Sequence, residues 1–506
     1  MKAKFIASGF RLRSHRWVRS AFVLNSHNLG GRVVRGAGFT FLGIFLRTLM
    51  TIGSMAILAR LLMPADFGYV AMATVVTEFA ALLGGFGFSN ILIQRQRICR
   101  LQLDTVFWAG MAVGGGLALV VWCLSFTSGW LFSDPFAGEL LRVMTLTFLL
   151  GGMTHAHEAL LSRLMRFNVE FWIQLVVIFI RSLVAVLCAY VGFGVWSLVF
   201  GALAGGIANV ILMVTTIPFW PRFRFHAAYL VETWRISGSY LGNGFLYYIN
   251  MNIDVILVGR GLGAGALGYY QNARSLTDEI RGRIAMPLQR VLFPAFSALQ
   301  GDLGRLQASV LRSGRLLAAF MMPVGFGVAA VADELVPVLY GEKWLAMIPI
   351  LKMFGISAAI RSSTAIASPL YNSQNKVALG FKLNVVGTLL TIGAVYFSIP
   401  HGINSVAIAI AVSSMYVMVT FIVGIRLIGM NWRHLSQIFA VPTFASGAMW
   451  LAIDYVRPVV ASADFGEHLG LPLLIGFGAA VYAMLLFAVS PAYWQELRSL
   501  IKKFTG

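Results

Sequence analysis

Charged side chains interrupt the long apolar stretches of this sequence. The cations within those stretches are Arg47, Arg142, Arg181, Arg274, Arg281, Arg283, Arg290, Arg312, Arg315, Lys352, Arg361 and Lys382, and the acids are Glu78, Glu158, Asp254, Asp278 and Glu279. A charge at the centre of a bilayer costs about 2.5 kcal/mol or several times more, so each of these side chains needs a partner or water. Helical spacing predicts ion pairs of Asp278 with Arg274 and with Arg281, and of Glu279 with Arg283.

The cations outnumber the acids, so local pairing leaves a surplus of positive charge. The candidate binding residues are Arg47, Arg181, Arg274, Arg281, Arg312, Arg315, Arg361 and Lys382. A guanidinium donates two parallel hydrogen bonds to neighbouring oxygens and stays charged, which suits a phosphate group. The surplus therefore predicts a cationic cavity that accepts a phosphate-bearing substrate. The alternative is structural pairing, with the longer side chains reaching the membrane surface.

Three acids within the apolar stretches are candidates for coupling transport to protons or sodium ions. They are Glu78, Asp254 and Asp278, of which the first and last lie 200 residues apart. Asp278 serves equally well as a structural partner of Arg274. Ion coupling and structural pairing thus both remain open for this residue.

Neutral polar residues extend the candidate site, but catalytic motifs are missing from the sequence. The amides of Asn250 and Asn252 can bind sugar hydroxyls or join neighbouring helices. His155 and His157 are two residues apart, so they occupy different faces of a helix, which disfavours a metal site. No phosphate-binding loop, nucleophile elbow or zinc-protease motif is present. We predict a protein that is not an enzyme and that has no cofactor, metal or catalytic residue.

These residues must be positioned by membrane-spanning helices. The chain has 506 residues, 58% of them hydrophobic and 11% charged, against roughly 25% charged in a soluble domain. A soluble globular protein is excluded, and the class is an all-α polytopic membrane protein. Apolar runs long enough for a bilayer predict about fourteen spans, at residues 37–61, 67–91, 104–129, 139–161, 168–191, 194–217, 237–260, 266–288, 307–330, 345–368, 376–398, 403–427, 436–456 and 469–489.

Basic residues concentrate in alternate loops between these spans. Arg222, Arg224 and Arg235 follow the sixth span, for example, whereas an opposite loop carries Asp333 and Glu334. Cytoplasmic loops carry the excess of Lys and Arg, so the N- and C-termini are predicted to be cytoplasmic. Because membrane topology accounts for most of the net charge of +20, we do not expect nucleic acid as a partner.

The sequence matches itself at an offset of 200 residues. Arg60 then falls on Arg260 and Thr77 on Thr277, with the surrounding spans in register. Six spans separate the copies, so the two halves form a parallel repeat, as in many secondary transporters. The predicted domains are a cytoplasmic basic amphipathic arm at 1–36, a first six-helix lobe at 37–217, a cytoplasmic interfacial linker at 218–236, a second six-helix lobe at 237–430, and two further spans with a cytoplasmic C-terminus at 431–506.

Two motifs carry a resemblance to a known family. The sequence ARLLMPADFG occupies residues 59–68, and VLFPAFSALQGD occupies residues 291–302. Together with residues 57–95 and 266–302 around them, they resemble the polysaccharide-exporter branch of the multidrug/oligosaccharidyl-lipid/polysaccharide exporter superfamily. The colanic-acid-type oligosaccharide flippases of that branch are the most similar.

The resemblance implies a flippase of the bacterial inner membrane that works by alternating access. Its substrate would be an undecaprenyl-diphosphate-linked oligosaccharide repeat unit, moved across the membrane for exopolysaccharide or lipopolysaccharide synthesis. The implied partners are this substrate, membrane lipid and a polysaccharide polymerase or export complex. The alternatives are a cation-coupled multidrug exporter of the same superfamily, whose cationic substrates excess arginine would repel, and a non-transport scaffold of a polysaccharide assembly complex.

Overall fold

A computed structural model describes residues 29–84, 92, 98–164, 166–462, 467–489 and 493 of the chain. Helices are the regular secondary structure of these residues, and no strand occurs among them. The α-helices are α1 Leu29–Leu61, α2 Pro64–Gly84, α3 Arg100–Leu124, α4 Ser128–Phe132, α5 Phe136–Met144, α6 Leu146–Arg163, α7 Phe167–Tyr190, α8 Trp196–Thr216, α9 Ala227–Ala298, α10 Leu303–Ala330, α11 Ala332–Leu339, α12 Ile348–Ser363, α13 Ala367–Ser373, α14 Val377–Ser398, α15 Ile403–Ser414, α16 Tyr416–Arg426, α17 Trp432–Ser462 and α18 Glu467–Val489.

Eleven segments of the described chain are long and apolar enough to cross a membrane. They are Pro64–Leu82, Arg100–Phe132, Phe136–Arg163, Asn168–Tyr190, Trp196–Thr216, Leu303–Ala330, Glu342–Ser373, Val377–His401, Ile403–Arg426, Trp432–Ser462 and Leu469–Val489. Each overlaps one predicted span, and the other three predicted spans lie on α1 and α9. The all-α polytopic class is confirmed, while the count of fourteen and the internal repeat stay predictions.

Helix α9 is broken at Gly263. This residue has φ 78° and ψ 179°, a conformation that glycine adopts without strain because it has no Cβ atom. The break separates the predicted seventh and eighth spans. The internal contacts divide the chain close to this point, with one unit ending at Ala264 and a second beginning at Gly265. The lobe, arm and linker boundaries that the sequence suggests stay predictions.

Facing glycines bring helices close together within each unit. A Cβ atom on Gly152 of α6 would lie 2.7 Å from the carbonyl oxygen of Gly110 on α3. In the second unit, a Cβ atom on Gly355 of α12 would lie 2.6 Å from the carbonyl oxygen of Gly325 on α10. Helix association in a membrane relies on van der Waals contact, so small residues at such crossings let the backbones pack tightly.

An ion-pair network joins three helices of the second unit. Arg457 of α17 places Nη1 3.2 Å from Asp333 Oδ2 and 2.9 Å from Asp454 Oδ1. Its Nε lies 2.7 Å from Glu334 Oε1. Lys352 of α12 places Nζ 2.8 Å from Asp333 Oδ2. Because Asp333 and Glu334 open α11, the network fixes this short helix between α12 and α17.

Candidate functional site

Asp278 is the centre of a charge cluster in the second unit. Arg274, one helical turn earlier on α9, places Nε 3.3 Å from Asp278 Oδ2. Arg281, three residues later, places Nη2 3.1 Å from Asp278 Oδ1. All three side chains are partly buried. The two ion pairs predicted for Asp278 are confirmed, and each of its carboxylate oxygens is bound by a different guanidinium. The predicted pair of Glu279 with Arg283 lies outside the described side chains.

A third guanidinium reaches this cluster from another helix. Arg361 of α12 attracts the Asp278 carboxylate electrostatically. Three guanidiniums thus interact with one carboxylate. Beside them, α9, α10 and α12 line a pocket in which Thr277, Arg281 and Ser362 are polar and most other lining residues are apolar. Arg281 therefore both holds Asp278 and lines the pocket.

The other predicted cations of the second unit have different surroundings. Arg315 of α10 donates from Nε to the carbonyl oxygen of Gln437, at 3.3 Å, and from Nη2 to the amide oxygen of the same residue, at 3.2 Å. It thereby joins α10 to α17. Arg312 is partly buried on α10, and Lys382 is exposed on α14.

In the first unit, an acid and a histidine line one cavity. Glu78 of α2 and His155 of α6 lie in its wall, and the cavity volume is about 300 Å³. Thr77 and Thr147 add hydroxyl groups to the lining. Sequence reasoning selected Glu78 but not the threonines, because it gave no means of placing α2 beside α6.

The two histidines of α6 face different surroundings, as their spacing predicts. The ring of His157 is buried, with Nδ1 3.1 Å from the carbonyl oxygen of Met153 and Nε2 3.1 Å from that of Phe219. His155 instead lies 3.9 Å from Glu158 and lines the cavity. Both ring nitrogens of His157 thus contact backbone carbonyl groups. His155 and Glu158 instead lie together on another face of the helix.

The remaining candidates of the first unit are spread over α1, α7 and α9. Arg47 donates from Nε to the carbonyl oxygen of Gly43, at 3.1 Å. Arg181 is exposed on α7. Asn252 donates to the carbonyl oxygen of Tyr248, at 3.3 Å.

Two further candidates, Asn250 and Asp254, lie on α9 of the same unit. Asn250 is partly buried and Asp254 is buried. Their roles in binding or ion coupling stay predictions.

Comparison with known proteins identifies the family. A family model described as "Polysaccharide biosynthesis protein" matches residues 57–349, more than half of the chain. The chain belongs to the polysaccharide biosynthesis protein family. The match includes both motifs that suggested polysaccharide exporters, so that resemblance is confirmed.

Relatives of this family member are similar over most of their length. The succinoglycan biosynthesis transport protein ExoT of Rhizobium meliloti is 25% identical over 456 residues, which cover 88% of this chain and 91% of the relative. The lipopolysaccharide biosynthesis protein WzxC of Escherichia coli is 25% identical over 374 residues, covering 73% and 75%. The family is one of membrane transport in polysaccharide biosynthesis, as the sequence analysis predicts.

A solved structure shares the fold of this family member. The lipid II flippase MurJ, in an inward closed conformation, superposes with a TM-score of 0.71 over 92% of this chain and 99% of its own. The identity is 14%, so the likeness establishes the fold alone. The chain is a multi-span membrane protein that shares the helical fold of the MurJ structure.

Proposed function

We propose that this protein moves undecaprenyl-diphosphate-linked oligosaccharide repeat units from the cytoplasmic to the outer face of a bacterial inner membrane, for exopolysaccharide or lipopolysaccharide synthesis. Support comes from the family and from relatives named for succinoglycan transport and lipopolysaccharide biosynthesis. The protein acts as a transporter by alternating access, and not as an enzyme. Its termini face the cytoplasm, and a polymerase or export complex receives the product.

The Asp278 cluster is the observation that supports a diphosphate substrate. Arg274, Arg281 and Arg361 all interact with the Asp278 carboxylate, so guanidinium groups of α9 and α12 are gathered in one place. Arg281 also lines the adjoining pocket. A diphosphate presents several oxygens that match the paired donors of guanidinium groups. We assign the head of the substrate to this cluster, and we assign to Arg47, Arg181, Arg312, Arg315 and Lys382 a supporting role in the cationic cavity.

The same cluster supplies a route to ion coupling. Substrate phosphates compete with Asp278 for Arg274 and Arg281, because both are anions that bind the same donors. When Asp278 loses these partners, its carboxylate binds a proton or a sodium ion, and this step couples transport to that ion. In the first unit, Glu78 faces a cavity of about 300 Å³ and is the corresponding candidate.

The test is complementation of a strain that lacks the gene. Two quantities are measured in the same cells: polysaccharide at the surface, and lipid-linked oligosaccharide held on the cytoplasmic side. In the strain that lacks the gene, we expect loss of the surface polymer and accumulation of the lipid-linked unit. Complementation with the intact gene should reverse both changes. Normal polymer with altered tolerance to toxic cations would instead indicate a multidrug exporter.

Variants of the Asp278 cluster distinguish a transporter from a non-transport scaffold. Arg281→Gln and Arg361→Glu should fail to restore polymer although the protein is inserted in the membrane. The matched control is Arg142→Gln, because Arg142 also lies in an apolar segment but contacts Ser125 and the ring of Phe126 in the first unit. Full polymer with both cluster variants would contradict the cationic-site mechanism and favour a scaffold.

A further inference from the structure

The segment between α8 and α9 is fixed to the rest of the first unit by hydrogen bonds from its backbone. We call residues 217–226 the linker segment. The N–H group of Arg222 donates to Asp104 Oδ1 at 3.1 Å, and its carbonyl oxygen accepts from Trp108 Nε1 at 2.9 Å. The N–H group of His226 donates to Thr105 Oγ1 at 3.3 Å. These contacts hold the linker segment against the first turns of α3.

Further contacts fix the middle of the linker segment. Arg100 donates from Nη2 to the carbonyl oxygen of Trp220 at 3.1 Å. The ring of Phe223 stacks on Trp108 with centroids 4.4 Å apart. Most of these contacts use backbone atoms of the linker segment, and the stacked ring of Phe223 adds a side-chain contact.

The aromatic side chains of the linker segment are exposed. Trp220 is 70% exposed, Phe223 is 89% exposed and Phe225 is 55% exposed. Arg222 and Arg224 between them are exposed as well. Large aromatic side chains in alternation with arginine are typical of the interface between water and lipid, where rings enter the headgroup region.

The position of the linker segment agrees with such an interface. It begins directly after the span Trp196–Thr216 and lies against the first residues of the span Arg100–Phe132. Both spans therefore end at the level of the linker segment. That level is a membrane surface, because the apolar part of each helix stops there.

Several charged side chains lie near one another at this surface. Arg222 and Arg224 both lie close enough to repel the guanidinium of Arg100. Asp104 attracts all three guanidiniums. Its Oδ2 atom is buried and has no hydrogen-bond partner among the described residues. A phosphate group on the exposed side of the arginines would relieve the repulsion.

We propose that the linker segment is a binding site for the headgroups of anionic phospholipids. The lipid phosphate binds the guanidiniums of Arg222 and Arg224, and the rings of Trp220, Phe223 and Phe225 enter the boundary between headgroups and acyl chains. The linker segment thereby attaches one end of the first unit to the membrane surface. This site is separate from the Asp278 cluster and does not depend on the transported substrate.

The test is a lipid competition on the purified full-length protein in a neutral detergent. Phosphatidylglycerol and phosphatidylcholine are added in equal amounts, and native mass spectrometry counts the molecules of each that stay bound. We expect the wild type to prefer phosphatidylglycerol. The double variant Arg222→Gln/Arg224→Gln removes both arginine charges. Each arginine near anionic lipid contributes about fivefold to the preference, so the double variant should lower it by roughly five- to thirty-fold.

A double variant of the second unit controls for net charge. Arg305→Gln/Arg433→Gln removes the same charge from two exposed arginines and should keep the wild-type preference. Because the hydrogen bonds of Arg222 to α3 use its backbone, we expect the linker variant to stay folded. If its melting temperature falls, the conservative variant Arg222→Lys/Arg224→Lys should restore both stability and preference.

Three outcomes would overturn the proposal. The first is a wild type that retains both lipids equally. The second is an equal loss of preference in the two double variants, which would indicate a general effect of charge. The third is displacement of phosphatidylglycerol by inorganic pyrophosphate at the same concentration, which would assign the site to soluble phosphate compounds.

Discussion

The contact between α10 and α12 allows a quantitative prediction for Gly325→Ala. An added Cβ atom would lie 2.6 Å from Ala359 Cβ and 2.8 Å from Ala359 N, and would also meet the carbonyl oxygen of Gly355. Favourable contacts between carbon atoms lie at about 3.5–4.0 Å. The helices must therefore separate by about 1 Å, and no side chain can swing aside because most of the opposing atoms belong to the backbone.

The expected cost follows from this overlap. Overpacking of a close-packed interface costs about 1–3 kcal/mol, and 1 kcal/mol corresponds to about 2–4 °C in a unit of this size. The variant should therefore melt roughly 2–12 °C below the wild type. Intrinsic tryptophan fluorescence during heating of the detergent-solubilised protein measures this difference. Because Gly325 also lines the pocket beside Arg281, complementation should weaken in parallel.

A neighbouring glycine provides the control. In Gly327→Ala the nearest atom, Met449 Cε, lies 3.7 Å from the new Cβ atom, which is an ordinary contact. Both substitutions gain the same helix propensity, up to about 1 kcal/mol. The difference between them thus isolates the overlap. If Gly325→Ala melts with Gly327→Ala or above it, the reasoning from the close approach of α10 and α12 is refuted.

Three further predictions concern charges outside the Asp278 cluster. Arg457→Met should lower the free energy of unfolding by about 1–3 kcal/mol, because carboxylates of α11 and α17 lose their shared cation; denaturant titration with an unchanged midpoint would contradict this. Burial raises the pKa of Glu334 above its ordinary 4.5, although Arg457 opposes the shift. The contribution of Glu334 to stability is therefore full below pH 4.5 and declines as the pH rises through the folded pKa. Melting curves of Glu334→Gln at several pH values should lack this decline. Asp104→Ala should release the linker segment and speed tryptic cleavage at Arg222, whereas Asp104→Asn, which keeps the acceptor, should not; equal cleavage rates in the two would argue against the hydrogen bond to Asp104.

Features that depend on neighbouring residues along the chain were predictable from the sequence. The length of an apolar run determines whether a helix can cross a membrane, so spans such as Trp196–Thr216 and Leu469–Val489 coincide with predicted ones. The pairing of Asp278 with Arg274 and Arg281 follows from helical geometry alone. The different surroundings of His155 and His157 have the same origin.

Features that depend on the packing of distant helices were not predictable. Arg361 attracts Asp278 from another helix, and Arg315 binds Gln437, which lies 122 residues away. A sequence without homologous comparisons has no signal for such pairs. The sequence predicts a cytoplasmic interfacial linker at residues 218–236, but the attachment of Arg222 to Asp104 depends on a contact with α3 for which the sequence has no signal.

The Arg457 network has a consequence for how this gene can change over time. The helices α17 and α18 lie outside the predicted duplication and would, on that basis, look dispensable. Arg457 of α17 nevertheless pairs with Asp333 and Glu334 of α11, so a shortened gene would encode a second unit in which Asp333 keeps Lys352 but Glu334 has lost its pairing with Arg457. Loss of the terminal pair of helices would have to be preceded by a substitution that removes the charge of Glu334. The extension is therefore entrenched, because its removal is harmful until other positions have changed first.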